Sequence, residues 1–415
     1  MTQPSVRMRR LRACAGGLAV LSLLFATTGC SEPADATATA DASASAGADE
    51  APESDEATES DDPAPAVVSM DPPMGTSRFA PMTPVTIFAG NGTLTEVAIL
   101  DPDGVAVSGT LSADATKWQS TELLDYATSY DVTATAANAS GEVTAATGTI
   151  STLTPRTFTM PYLLPSESMD SVGVGMPIVV KFDEDIENRA AVEGRLTVTT
   201  TPAVVGAWSW FGDREVHYRP QTHWNPGTHV VVDVNVYGVN VGADIYGEVN
   251  QHLEFDIHDA LVAKVDNDDL TLRVYRNGAL EREMPTSMGK STFGTPSGTY
   301  LVMQQDRRYT MDSSTYGTPI DDPEGYRLEV EYASRLSYSG IFVHAAPWSV
   351  GDQGVRNVSH GCLNLSTADA GYFYENFGWG DIVEVTGTGV TLQPTNGLGD
   401  WNIPWEEWIL GSALT

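Results

Sequence analysis

The stretch Leu270-Thr271-Leu272-Arg273-Val274-Tyr275-Arg276-Asn277-Gly278-Ala279-Leu280-Glu281-Arg282-Glu283-Met284 decides the fold class. Its first half alternates apolar and polar residues, the period that sends successive side chains to opposite faces of a strand. Asn277-Gly278 suits a two-residue type I′ turn, because both central positions need a positive φ. The reading is a β-hairpin, and the same grammar continues toward the N-terminus. Val230-Val231-Val232-Asp233-Val234, Val216-His217-Tyr218, Leu196-Thr197-Val198-Thr199 and Ile178-Val179-Val180-Lys181-Phe182 are short β-prone runs separated by turn residues. Further upstream, Val, Thr and Ile runs are broken at Asn91-Gly92, Asp101-Pro102-Asp103-Gly104 and Asn138 to Gly141.

Strands at this spacing predict a mainly β protein: Ig-like β-sandwiches over residues 67–153 and 154–258, then a β-rich domain over 259–386. No cysteine pair bridges either sandwich, so the likeness is one of architecture. The third domain has one clear helix signal, Thr367 to Phe377, with Ser366 as N-cap, Asp369 three residues on and Gly378 to close it. The last segment, 387–415, carries Trp401, Trp405 and Trp408, which read as a tail docked on a domain surface.

The chain has 415 residues and a net charge of -33, which would repel a phosphate backbone and argues against a nucleic-acid partner. A third of that charge is local. From Ser31 to Pro65 there are 11 acids and no Lys or Arg, in a background of Ala, Ser, Thr and Pro. Such a segment cannot bury a core and reads as a disordered tether, 30–66, spanning on the order of 30 Å or more.

Ahead of it, Arg7, Arg9, Arg10 and Arg12 precede the 14-residue apolar run Ala13 to Ala26. The run is shorter than the roughly 20 residues a membrane-spanning helix needs, so 1–29 reads as a cleaved export signal. Thr27-Thr28-Gly29-Cys30 resembles a bacterial lipobox, with Thr27 where Leu is usual. That resemblance implies cleavage before Cys30, a lipid on its thiol and a protein anchored to the outer face of the cytoplasmic membrane. An ordinary secretory signal is the other reading, and either one places the chain outside the cytoplasm. Cys14 leaves with the signal and Cys30 carries the lipid, so Cys362 is the one free thiol of the mature chain.

His217, His223, His229, His252 and His258 are scattered without a carboxylate cluster at metal spacing, and read as structural or surface residues. No metal or cofactor is implied, although Asn240 to Asp244 could offer oxygen atoms to a weak Ca²⁺ site.

The densest chemistry lies in Ile341-Phe342-Val343-His344-Ala345-Ala346-Pro347-Trp348 and Asn357-Val358-Ser359-His360-Gly361-Cys362-Leu363-Asn364. A thiol becomes a nucleophile when a neighbour takes its proton, and imidazole does so near neutral pH. His344 ends an apolar, strand-like run, a rigid place from which to aim a ring. Gly361 permits close backbone approach, and its N–H with that of Cys362 could line an oxyanion hole. A buried, inert Cys362 is the alternative on residue types alone.

His344, with Cys362 18 positions later inside Ser359-His360-Gly361-Cys362-Leu363-Asn364, resembles the active-site signature of the L,D-transpeptidases with a YkuD-like catalytic domain. Thr295-Pro296-Ser297-Gly298-Thr299-Tyr300 resembles a second segment of that family, and the lipobox, tether and paired sandwiches resemble its mycobacterial-type branch. The resemblance implies an enzyme acting on peptidoglycan stem peptides. Cys362 would attack the third residue of a tetrapeptide donor, with release of terminal D-Ala and a cross-link to the third residue of an acceptor stem. His344 would take the thiol proton, His360 and Ser359 would shape the pocket, and Gly361 and Cys362 would supply oxyanion donors. Tyr326, Ser339, Gly340 and Asn364 match groove positions, and Met311, Tyr316 and Trp348 match lid and wall. Ala345 departs from the branch, which often has Ser there. The resemblance also implies a cysteine that carbapenems acylate. An L,D-carboxypeptidase using water as acceptor, and a wall-binding lipoprotein without activity, stay open at this level.

Overall fold

The computed structural model describes residues 62–415. The export signal, Cys30 and nearly all of the acidic tether lie outside the described residues. The described end of the expected tether is held in place: the Pro63 and Ala64 carbonyls accept from Asn138 Nδ2, at 3.2 and 3.4 Å, and Ala66 is buried.

The first sandwich packs a sheet of Val67–Asp71, Thr86–Gly90, Lys117–Ser120 and Gly109–Leu111 on a sheet of Ser77–Phe79, Val143–Thr152, Ser129–Ala137 and Thr93–Leu100. Ser129–Ala137 shows why: Tyr130, Val132, Ala134 and Ala136 point inward at period two, and the residues between them stay more exposed. The turn at Asn91-Gly92 crosses from one sheet to the other, since the strands it joins belong to different sheets.

The second sandwich pairs Pro161–Leu164, Ile178–Phe182, Glu215–Pro220 and Gly206–Trp210 against Ser171–Val172, Gln251–Ile257, His229–Val234 and Leu196–Thr201. Thr157–Thr159 joins a small third sheet with Asn240–Gly242 and Ile245–Gly247. Asn240 Oδ1 accepts the Gly242 N–H at 2.9 Å, and Asp244 faces Arg78 at 3.8 Å, so these oxygens do not converge on a cation. Among the described residues no cluster of three or more His, Cys, Asp or Glu side chains could hold a metal.

The third domain has two sheets. Its hairpin is Thr271–Arg276 paired with Ala279–Pro285, with φ of 50° at Asn277 and 82° at Gly278 as a type I′ turn requires. Leu261–Asp266, Ile382–Thr386 and Gly298–Leu301 complete that sheet. The second sheet runs Gln304–Asp312, Arg327–Arg335, Phe342–Ala345 and Leu363–Leu365, the last two parallel. Helix Thr367–Asn376 packs on it, and Ser366 Oγ accepts the Asp369 N–H at 3.2 Å. Gly378 does not close this helix in a left-handed turn. Phe377 ends it in an extended conformation, and the Gly378 N–H goes to Asp381 Oδ2 instead, at 2.8 Å.

One hydrophobic cluster spans the second sandwich and the third domain, joining Val174, Met176 and Trp224 to Leu301, Met303, Ile382 and Leu398. The C-terminal segment adds a second tie. Trp401 and Trp408 donate their indole N–H groups to the Gly175 and Ala207 carbonyls, at 2.7 and 2.9 Å. Arg219 lies over both rings, at 4.6 and 4.5 Å. Beside them His217 is buried between Asp400 and Glu215, 2.7 Å from each. Burial alone would push the His217 pKa down, but the Asp400 carboxylate and then Glu215 outweigh it and lift the value to about 9.

A folded-state pKa raised above the unfolded value of about 6.5 stabilises the folded form fully below that pH and is lost as pH rises through about 9. The thermal midpoint of the second sandwich is therefore expected to fall between pH 6.5 and 9, by on the order of 2–3 kcal/mol in stability. Asp400→Asn should flatten most of that slope in a calorimetric pH series. An unchanged slope would remove the ion pair from the account.

Candidate active site

Strand register builds the site. Phe342–Ala345 runs parallel to Leu363–Leu365, with Val343 opposite Leu363 and His344 opposite Asn364. Alternation therefore sends Val343 and Leu363 into the domain core and turns His344, Asn364 and Cys362 to the other face. On that face Cys362 packs with Phe342, Met311, Val330 and Ala333, so the thiol sits in an apolar layer and is only 6% exposed.

Cys362 Sγ donates to the Gly340 carbonyl at 3.5 Å. Gly340 has a φ of 86°, and a Cβ there would lie 2.4 Å from the Tyr316 ring, so only glycine lets that ring come this close. The thiol pKa is pushed up to about 11 by burial, against the opposing effects of the Phe342 backbone and the Arg335 charge.

His344 is buried too, and its Nδ1 is bound to its neighbour's backbone, the Ala345 carbonyl, at 2.9 Å. A carbonyl only accepts, so Nδ1 carries the proton and Nε2 is left as the basic nitrogen. Because the backbone does the orienting, Ala345 in place of Ser removes no partner of the ring. Burial drops the His344 pKa to about 4, with the carbonyl working the other way. At neutral pH the pair thus rests as thiol and neutral imidazole.

These two residues, with Met311, Tyr326, Leu328, Trp348, Ser349, Asp352, Val358, Ser359, His360 and Asn364, line a cavity of about 320 Å³. Trp348 is the exposed rim, its ring 6.1 Å from that of His344. Asn364 donates to Ser349 Oγ at 3.2 Å, which fixes the wall behind it.

Ser339 does not line the cavity; it is tied to Asn396 of the C-terminal segment through Oγ at 2.8 Å and its N–H at 2.9 Å. The Gly361 N–H, expected to face an oxyanion, donates to Ser359 Oγ at 3.1 Å, while that hydroxyl donates to the Cys362 carbonyl at 2.7 Å. Ser359 thereby closes the turn that presents the thiol, a turn for which Gly361 adopts a φ of 121°. Tyr316 and Gly340 stand beside the thiol but outside the cavity lining.

Thr295 and His360 stood in the quoted motifs, whereas Lys290 and Glu324 had no signal of their own in the sequence. Thr295, fully buried, donates to the Gly361 carbonyl at 2.7 Å and accepts from the Gly289 N–H at 2.9 Å, which gives the Thr295-Pro296-Ser297-Gly298 segment its structural purpose. His360 lies between the rings of Phe293 and Tyr326, at 4.9 and 5.1 Å, with Nε2 2.9 Å from Glu324. Lys290 also binds Glu324, at 2.5 Å, and holds its carboxyl below the usual range, with His360 adding to the effect. Glu324 belongs to the acidic loop Asp321-Asp322-Pro323-Glu324.

A buried thiol, an imidazole pinned in one tautomer and a half-open cavity between them suit acyl transfer through a covalent intermediate. Known proteins resemble this chain over both its sandwich and catalytic regions. Residues 76–240 match a bacterial Ig domain and residues 261–385 match an L,D-transpeptidase catalytic domain. L,D-transpeptidase 2 of Mycobacterium tuberculosis (strain CDC 1551 / Oshkosh) is 46% identical over 331 residues, covering 80% of this chain and 81% of that protein. L,D-transpeptidase 5 of Mycobacterium tuberculosis (strain ATCC 25618 / H37Rv) is 32% identical over 361 residues, covering 85% and 78%. A solved L,D-transpeptidase in complex with imipenem is 36% identical, with a TM-score of 0.48 over 54% of this chain and 97% of that one. With the greater part of its length shared at such identity, sandwiches and catalytic domain together, this chain belongs to the L,D-transpeptidase family.

Proposed function

We propose that the protein joins the third residues of two peptidoglycan stem peptides through a thioester on Cys362. The observation that carries this reading is one cavity lined by both a buried thiol and an imidazole whose Nδ1 is spent on the Ala345 carbonyl, leaving Nε2 to take a proton. Sγ attacks the carbonyl carbon of the third residue as its proton passes to His344 Nε2. The C–N bond to terminal D-Ala then breaks, and the imidazolium returns the proton to the departing amine. In the second half the acceptor's side-chain amine attacks the thioester, gives a proton to His344, and the C–S bond breaks to restore the thiol. No external energy source is needed, because one amide is exchanged for another.

The cavity of about 320 Å³ beside the nucleophile would receive the donor stem. Met311, Tyr326 and Leu328 form its apolar side, and Trp348, Asn364 and Asp352 a more polar one. Oxyanion stabilisation falls to the Cys362 N–H, joined by that of Gly361 once substrate displaces it from Ser359. His360 and its Glu324 partner support this turn from outside.

The acidic tether and the two sandwiches act as a stalk, with Cys30 as the lipid-bearing anchor on the outer membrane face. The arginine-led signal and the Gly29-Cys30 step support this placement.

Mass spectrometry of a tetrapeptide donor with an amine-bearing acceptor should show D-Ala release and a cross-linked dimer. Cys362→Ala should abolish both, and His344→Ala should slow them by about 10²-fold or more. A tripeptide product without dimer would assign the protein as a carboxypeptidase, and dimer formed by Cys362→Ala would refute the mechanism. For the anchor, Cys30→Ser is expected to release the chain from the membrane fraction into the medium; retention would remove Cys30 from that role.

A further inference from the structure

Behind the nucleophile lies a cation with no carboxylate to balance it. Arg335, half-buried at the end of Arg327–Arg335, donates from Nε to Gln304 Oε1 at 2.9 Å and from Nη1 to the Ser337 carbonyl at 3.2 Å. Its Nη2 donates to the Tyr309 and Tyr316 hydroxyls, at 2.8 and 3.2 Å. The guanidinium carbon lies 4.5 Å from the Phe342 ring centre and 5.6 Å from that of Tyr309. Every partner is neutral, and among the described residues no carboxylate forms an ion pair with it.

This arrangement is costly unless it does something. A half-buried guanidinium among neutral acceptors has no carboxylate to offset its charge, and the apolar layer around the thiol transmits the field better than water does. Phe342 and Tyr316, which hold the cation, also border Cys362: Phe342 packs on the thiol, and Tyr316 lies against Gly340, whose carbonyl accepts the thiol's hydrogen bond. The other titratable groups around the thiol are His344 on the neighbouring strand, Tyr326 and Tyr316 on the lid side, His360 in its own turn and Asp352 on the wall. None of these carries a fixed positive charge.

We propose that Arg335 is a positioning residue that biases Cys362 toward thiolate with its unpaired charge and holds Tyr316 over Gly340 with its hydrogen bonds. The inference rests on the acyl-transfer reading of the site and adds the source of its electrostatic bias. The same charge favours the anionic sulfur as His344 takes the proton, and the anionic tetrahedral intermediate that follows. Its direction agrees with the lowering effect of Arg335 on the thiol pKa, which burial raises.

The test uses thiol alkylation in the full mature chain, so it does not depend on finding the peptide substrate. Below the thiol's midpoint, the rate with iodoacetamide follows the thiolate fraction, and each unit of upward shift costs about tenfold. Arg335→Gln is expected to slow alkylation of Cys362 at pH 8–9 by about three- to tenfold. Arg335→Lys, which keeps the charge, should restore the rate to within about twofold of wild type. The ratio of iodoacetate to iodoacetamide rates should also fall in Arg335→Gln, since a lost cation penalises the anionic reagent more; a change in access alone would slow both equally. Wild-type rates in Arg335→Gln, or an equal loss in Arg335→Lys, would overturn the proposal. If Arg335→Gln does not fold, Tyr309→Phe with Tyr316→Phe decides, because it frees the cation from two anchors: slower alkylation supports the role and an unchanged rate overturns it.

Discussion

The burial of a thiol and an imidazole in one apolar layer is the constraint on which the site depends. Each group is charged only at a cost in such surroundings, so Cys362 is driven toward thiol and His344 toward neutral imidazole. A preformed thiolate–imidazolium pair is thereby disfavoured at rest, and in the proposed mechanism the proton moves as the nucleophile attacks. The rest of the local structure serves that event. The Ala345 carbonyl fixes the tautomer, Ser359 and Thr295 hold the turn, and Arg335 is anchored to the Tyr309 and Tyr316 hydroxyls.

The distant parts of the chain bear on the same site through packing. The second sandwich shares a continuous core with the catalytic domain, and the tryptophan-bearing C-terminal segment closes over their junction. Asn396 in that segment ties Ser339, next to Gly340, to the tail. The segment therefore reaches from the second sandwich to within one residue of the thiol's hydrogen-bond acceptor. The first sandwich meets the second at Tyr126 and Tyr237, whose hydroxyls donate to the Gly247 and Leu124 carbonyls.

What the sequence made legible followed distance along the chain. The hairpin around Asn277-Gly278 was readable because its alternation and turn chemistry are local. Asn91-Gly92 carries the same dipeptide yet crosses between sheets, because pairing there is settled by strands far away. His344 and Cys362 stood out by residue type, and their common face follows from a register that only the folded sheet supplies. Ser339 and Gly361 matched the motif by position, but their hydrogen bonds depend on Asn396 and Ser359, which no spacing rule orients. Arg335, Glu324 and Lys290 were invisible as site residues, since charged residues on strands and loops ordinarily face water.

The central claim is a neutral resting pair with His344 as the base. It is tested most directly by the rate at which a carbapenem acylates Cys362 across pH, followed by intact-protein mass. With His344 at about 4 and the thiol at about 11, the rate should stay flat between roughly pH 5.5 and 9 and fall only as pH drops toward 4. A rate that instead rises through a midpoint near 6.5, the value of an ordinary exposed imidazole, would contradict the account.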